Sequence, residues 1–406
     1  MKTLAMALRN LGRNRTRTAI TLFSMAFAGA AMILYMAMAE GFVQTLENNT
    51  IGKDLGEVQI HAKGYRSDPD LYKRIENADD VLKVVERKGF YGAKRLYGYG
   101  LSAFGNASAG IMIRGVDLEN EPKVTTISKS VMEGGWLDSS DPRGVVIGKK
   151  LARTLGVRLG DELVVISQAS DGSMANEVYK VRGVLKTVGE VVDQGGLLMG
   201  EGEFRRFLVV PTGAHEIAMT RKNKEWGLEI ATAETSKMFP ELEVRNWRQL
   251  QPILSELMEM MTYSISIVII IAYSSVAMII LNAMLMNVFE RIREFGIMKA
   301  LGVSPFQIFS LITAEALLSA FFAGGIALAF GAPASLHFQE KGLDLSVFTP
   351  SFNLSGMSLD PLIYFRLSPK AVGMPLAFMF VLVVLATLYP SIKAALIKPV
   401  DAIHHQ

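Results

Sequence analysis

The chain has 406 residues; 50% are hydrophobic, 20% are charged, and the mean hydropathy is +0.28. That mixture predicts membrane spans joined to a water-exposed domain rather than an ordinary soluble enzyme. A net charge of +3 gives no global basic field for nucleic acid, and the lack of cysteine excludes disulfide frameworks, thiolate metal sites and cysteine nucleophiles.

Residues 1–17 begin MKTLAMALRNLGRNR. Leu4, Ala7, Leu8 and Leu11 recur at helical spacing, with Arg9 and Arg13 on another face. The segment predicts an amphipathic helix lying on the inner membrane surface. Four later stretches reach the ~20 apolar residues a span needs: 18–39, 264–289, 306–331 and 371–389. Ala37-Met38-Ala39 resembles a signal-peptidase site, but the apolar run before it exceeds the roughly 7–15 residues of a signal-peptide core. A permanent anchor is expected.

Basic residues in short loops set orientation. Lys2, Arg9, Arg13, Arg15 and Arg17 precede the first span; Arg291, Arg293 and Lys299 lie between the second and third; Lys393 and Lys398 follow the fourth. With four spans these three segments share one side, so all three, including the loop 290–305 and the tail 390–406, are expected in the cytoplasm. Segments 40–263 and 332–370 are then outside. The expected fold is an α-helical membrane protein with four transmembrane helices and a large α/β extracytoplasmic domain between helices 1 and 2. A multi-pass protein of the inner (cytoplasmic) membrane is expected.

Within 40–263, strands are expected at 57–61, 111–114, 145–147, 163–167, 178–185 and 216–220, and helices at 149–155, 202–208 and 247–261. The last helix runs into the second span with a weak break, as a stiff lever would.

Several motifs carry no chemistry. Gly144–Lys150, GVVIGKK, has three residues between its glycines and no Ser or Thr after Lys149, so it fails the phosphate-loop pattern and reads as a strand-to-helix turn. The five histidines, His61, His215, His337, His404 and His405, make no metal-binding spacing. No metal, cofactor or catalytic residue is expected in this chain. Glu315 inside the third span invites a proton-relay reading, but pairing with a basic residue of the cytoplasmic helices fits a lone acid near the inner end better. Ala26/Ala30 and Ala323/Ala327 are small-xxx-small pairs that predict close helix packing.

Residues 289–302, FERIREFGIMKALG, separate the second and third spans. As a helix they pair Glu290 with Arg293 and Arg291 with Glu294, and line Phe295, Met298 and Leu301 along one side, with Ile297 beside them; Gly302 and Pro305 end it. On the residues alone, two roles stay open. One is a surface helix anchoring the loop in the headgroups; the other is a docking plug for a cytoplasmic partner.

The stretch ERIREFGIMKALGVSPFQI resembles the loop after the second span in the MacB/FtsX/LolC-type permeases of ABC transporters, with Glu290, Arg293, Glu294, Gly296, Lys299, Ala300, Leu301 and Gly302 carrying the match. The basic start LRNLGRNRTRT, the end YPSIKAALIKPVDAI and the block Val145–Ser167 are also similar to that family. The resemblance implies a coupling helix seated in a groove of the ATPase, with Glu290, Arg291, Arg293, Glu294, Phe295, Gly296, Met298, Lys299, Leu301 and Gly302 forming the contact. It implies a separate ABC ATPase in two copies, which binds ATP and Mg, and a second permease that is identical or paralogous.

Among the family's branches the lipoprotein-releasing permeases fit best in length and architecture. They imply extraction of lipoproteins or lipids from the outer leaflet toward the outer membrane, with Met36, Phe42, Met260 and Tyr263 touching cargo. A loop after the Val145–Ser167 block would meet a periplasmic chaperone or adaptor. Its counterpart is Gln168–Glu177, with Ser170, Asp171, Gly172, Ser173 and Met174 at the tip, although it lacks the expected proline and Asp171-Gly172 also suits an ordinary hairpin turn. The alternatives are mechanotransmission to a periplasmic partner such as a cell-wall hydrolase, and efflux of amphiphilic small molecules or peptides through an adaptor and outer-membrane duct.

Overall fold

The computed structural model describes residues 2–12, 15–344, 352–354, 357–359 and 362–397. The end of the expected tail, with Lys398, lies outside the described residues, as does Arg13. The chain forms two compact units: residues 1–45, 258–348 and 361–406 make the helical unit, and residues 46–257 make up most of the α/β unit.

The helical unit is built from Arg15–Glu47, Pro252–Glu290, Pro305–Lys341 and Pro369–Leu396. Each contains a stretch long and apolar enough to cross a membrane. Lys2–Leu11 forms a separate short helix ahead of them. The third long helix runs ten residues past the expected end at 331 and stops at Gly342. Leu343–Asp344 then pairs with Leu362–Ile363 in a two-stranded ribbon, so the expected loop 332–370 begins as helix.

Small residues bring the first and third helices together. A Cβ on Gly29 would lie 2.9 Å from that of Ala327, and one on Gly331 would lie 3.3 Å from the Ala30 backbone. Close approach of this kind substitutes van der Waals contact for the hydrophobic effect, which is absent between helices in lipid. Met25, Met36, Ile269, Tyr273, Ala320 and Met379 fill the seam. The Tyr273 hydroxyl donates to the Pro375 carbonyl at 2.6 Å, tying the second helix to the fourth.

Within residues 46–257 of the α/β unit lie ten strands: β1 Val58–Ala62, β2 Phe90–Phe104, β3 Ala107–Val116, β4 Val131–Gly134, β5 Gly144–Ile147, β6 Glu162–Gln168, β7 Met174–Leu185, β8 Gly196–Gly200, β9 Glu216–Arg221 and β10 Leu242–Asn246. They form one sheet in the order β10-β1-β9-β2-β3-β8-β5-β7-β4, with β6 bridging β2 and β7. Four strands have no counterpart in the expected set: β2, β4, β8 and β10. The expected helix 247–261 divides at Gln251. Asn246 and Gln249 form a capping box on Trp247–Leu250, and Pro252 starts the long helix afresh.

Strand alternation sorts the two faces of this sheet. Val58 and Ile60 of β1, and Ile217 of β9, enter one core cluster, while Leu96 of β2 and Ile113 of β3 enter another. The residues between them point to the opposite face: Gln59 and His61, Glu216, Arg95 and Tyr97, Arg114. Register sets His61 opposite Glu216, Glu216 opposite Arg95, and Tyr97 opposite Arg114. A polar row therefore crosses four adjacent strands.

Candidate coupling site

Between the second and third long helices lies one short helix, Ile292–Ala300. Gly302 ends the turn after it with φ of +92°, and Ser304 with Gln307 forms a capping box that opens the next helix at Pro305. Its two sides differ sharply. Ile292, Phe295 and Gly296 are buried; Ile297 is 47% exposed and Leu301 81% exposed.

Three contacts clamp the buried side. Phe295 packs with Val288, Ile308, Ile312 and Ala394, which come from the second, third and fourth long helices. Arg291, at the helix start, donates to both Glu315 oxygens at 3.0 and 2.8 Å, and also to Glu294 at 3.2 Å. Its guanidinium lies 5.1 Å from the Phe295 ring centroid. Lys299 Nζ donates to the Ala395 and Ile397 carbonyls at 2.7 and 2.6 Å, capping the C-terminal end of the fourth helix. Asn10 adds a hydrogen bond to Glu315 at 2.6 Å. Glu315 is thus the paired acid that the sequence suggested, and its partner is Arg291.

This arrangement corrects the expected contact set. Phe295 and Leu301 do not share a face: six residues advance about 600°, leaving them about 120° apart. Phe295 and Gly296 hold the helix in place, and Met298 is half-buried against the same cluster. The outward stripe is Arg293, Ile297 and Leu301, spaced i, i+4, i+8. Ile297 was not among the expected contact residues; the spacing from Leu301 was the signal for it. Glu290 and Gly302 are also exposed.

The other expected sites fall apart from this one. Met36 is 6% exposed and packs in the helical seam, and Phe42 is half-buried. Met260 and Tyr263 are 63% and 68% exposed on the second long helix. Ser170–Met174 is the hairpin between β6 and β7. Gly172 turns it at φ +84°, and Asp171 Oδ1 accepts from the Ser173 backbone at 2.9 Å. Ser170 N–H donates to the Leu208 carbonyl at 2.9 Å and the Tyr72 hydroxyl to the Ser170 carbonyl at 2.9 Å, which leaves exposed Met174 at the end of a pinned turn. Among the described residues no cluster of His, Asp and Glu could hold a metal ion.

Comparison with known proteins agrees with this layout. Residues 18–238 match the MacB-like periplasmic core domain, and residues 266–399 match the FtsX-like permease C-terminal domain. The lipoprotein-releasing system transmembrane protein LolC of Neisseria meningitidis is 25% identical over 96% of this chain and 94% of its own length. The macrolide export ATP-binding/permease protein MacB of Rhodospirillum rubrum is 26% identical over 86% of this chain but only 54% of its own. Among solved structures, the periplasmic region of MacB from Actinobacillus actinomycetemcomitans aligns with 50% of this chain and 94% of that one, at 13% identity and a TM-score of 0.36. The chain belongs to the MacB/FtsX/LolC family of ABC transporter permeases.

Proposed function

We propose that this chain is the non-catalytic permease subunit of a machine that uses ATP hydrolysis by a separate partner to release lipoproteins or lipids from the outer leaflet of the inner membrane. In this reading both termini are cytoplasmic and the α/β unit is periplasmic. Two ATPase subunits bind ATP and Mg, and two permeases, identical or paralogous, sit above them. The observation that carries the reading is the clamped helix Ile292–Ala300. An ATPase groove would take the stripe Arg293, Ile297 and Leu301, and Phe295, Arg291 and Lys299 would pass its displacement to the third and fourth helices without slack. Near-full-length similarity to a lipoprotein-releasing permease supports the cargo class. Leaving the bilayer costs about 0.8 kcal/mol per acyl CH₂, so extraction calls for a coupled energy source.

The test is reconstitution with the ATPase in vesicles loaded with a fluorescent lipoprotein. ATP-dependent release that is lost with Ile297→Asp/Leu301→Asp supports the reading; ATP hydrolysis with no lipoprotein or lipid leaving the vesicle contradicts it. The MacB relative supports a second reading, export of small amphiphiles, which predicts co-purification of an outer-membrane duct.

A further inference from the structure

The fourth long helix, Pro369–Leu396, exposes an apolar stripe: Val381, Leu385, Tyr389, Ile392 and Leu396 follow one another at steps of three or four. Its apolar run ends at Tyr389, and Lys393 stands one turn, about 5.4 Å, beyond. That is the depth at which a spanning helix meets the lipid headgroups. Lys393 Nζ lies 4.6 Å from the Phe289 ring centroid and 5.9 Å from that of Tyr389. Phe289 closes the apolar run of the second long helix, and the two helices meet here: Val288 and Ala394, the chain neighbours of Phe289 and Lys393, share a buried cluster. A lysine at an exposed helix end ordinarily swings free; rings from two helices hold this one in the groove between them.

Among the described residues no carboxylate pairs with Lys393, whose contacts are the two rings. Glu294 and Glu315 are taken by Arg291, and Glu290 has a partner of its own. A ring face carries no formal charge, so an unmatched cation stands beside an open apolar stripe. That combination suits a phosphate head joined to acyl chains. A zwitterionic head brings its own cation and gains less there. Phe289 lies 26 residues from exposed Tyr263 on one helix, about 39 Å, which exceeds the ~30 Å hydrocarbon core. The groove therefore faces the leaflet opposite to that of Tyr263.

We propose that this groove binds one anionic phospholipid, its phosphate accepting from Lys393 Nζ and an acyl chain lying along Tyr389, Leu385 and Val381. The site lies wholly within the helical unit and stands independently of what the permease carries.

The test is native mass spectrometry of the full chain in detergent doped with phosphatidylglycerol or with phosphatidylethanolamine of the same acyl chains, reading the Kd of the first bound lipid. Phosphatidylglycerol is expected to bind more tightly. Lys393→Gln should weaken it about fivefold with the melting temperature unchanged, and Lys393→Arg should keep it. Phe289→Leu/Tyr389→Leu retains the apolar surface without the rings and should weaken it as Lys393→Gln does. Lys370→Gln, at the opposite end of the fourth helix, should leave it as in wild type. Equal binding by wild type and Lys393→Gln, or of the two lipids, overturns the site, and so does equal weakening in Lys370→Gln. Undiminished binding without the rings overturns the held lysine. Displacement of the lipid by equimolar inorganic phosphate overturns the lipid in favour of a free anion.

Discussion

Arg291 grips the Glu315 carboxylate at 2.8 Å with its side chain 16% exposed and that of Glu315 4% exposed. The short loop helix and the third long helix are therefore joined by a nearly buried ion pair. Removing one partner strands the other charge in a dry site, which typically costs about 3–5 kcal/mol, whereas replacing both with apolar groups of similar volume is often neutral. Glu315→Ala is expected to lower stability by that amount, and Arg291→Met/Glu315→Leu to recover most of it. Thermal melts of wild type and the two variants in one detergent check both expectations.

Phe295 and Leu301 should separate cleanly. Phe295→Ala empties a fully packed position and is expected to cost about 3–5 kcal/mol. Leu301→Ala removes an 81% exposed side chain and should change stability by less than about 0.5 kcal/mol while weakening capture of an ATPase. Denaturation and affinity capture on the same preparations measure both.

The α/β unit should lose stability as pH falls. Burial pushes the His215 pKa down, to about 4 from 6.5, against the opposing hydrogen bond to the Leu71 carbonyl. Tyr97 N–H donates to His215 Nδ1 at 3.0 Å, which fixes the neutral tautomer. The unfolded chain therefore binds this proton first, and stability drops between pH 6.5 and 4. Burial would raise Glu216, but Arg95 and the His61 hydrogen bond outweigh it and hold the pKa at about 2, below the ordinary 4.5. Its contribution, on the order of 3 kcal/mol, is present above pH 4.5 and lost as pH falls toward 2. Glu216→Gln should flatten the acid limb and leave the His215 limb in place, as read by chemical denaturation of the full chain across pH.

Gly100→Ala should destabilise by about 1–3 kcal/mol, because a Cβ there would lie 2.4 Å from the Ile166 carbonyl oxygen. Gly110, on the neighbouring strand, has open space around it and serves as the tolerant control. Melting temperatures of the two variants decide the matter.

The same glycine shows where the sequence stops being legible. The strand Phe90–Phe104 is the centre of the sheet, yet FYGAKRLYGYGLSAF carries three glycines and reads poorly as a strand. Those glycines are needed for close approach: Gly98 packs under Leu208 and Gly100 under β6. Such contacts come from distant parts of the chain and leave no local signal. The membrane spans were legible because each is a long apolar run, and Val145–Ile147 with Lys149–Leu155 because the strand, glycine turn and helix lie in one short block. In the loop helix the residue types were legible but their sides were not. Which of Phe295 and Leu301 turns inward depends on where three other helices stand, and so does the choice of Arg291 as the partner of Glu315.

The central claim is that the helix Ile292–Ala300 is held from within and docks through its outward stripe. The most direct measurement is affinity capture of the full chain from detergent-solubilised native membranes, comparing wild type with Ile297→Asp/Leu301→Asp and identifying every bound protein. The account predicts a small ABC ATPase with wild type, lost from a variant whose melting temperature is unchanged. An ATPase retained by that variant, or absent from both, would contradict it and leave the helix a membrane-surface anchor.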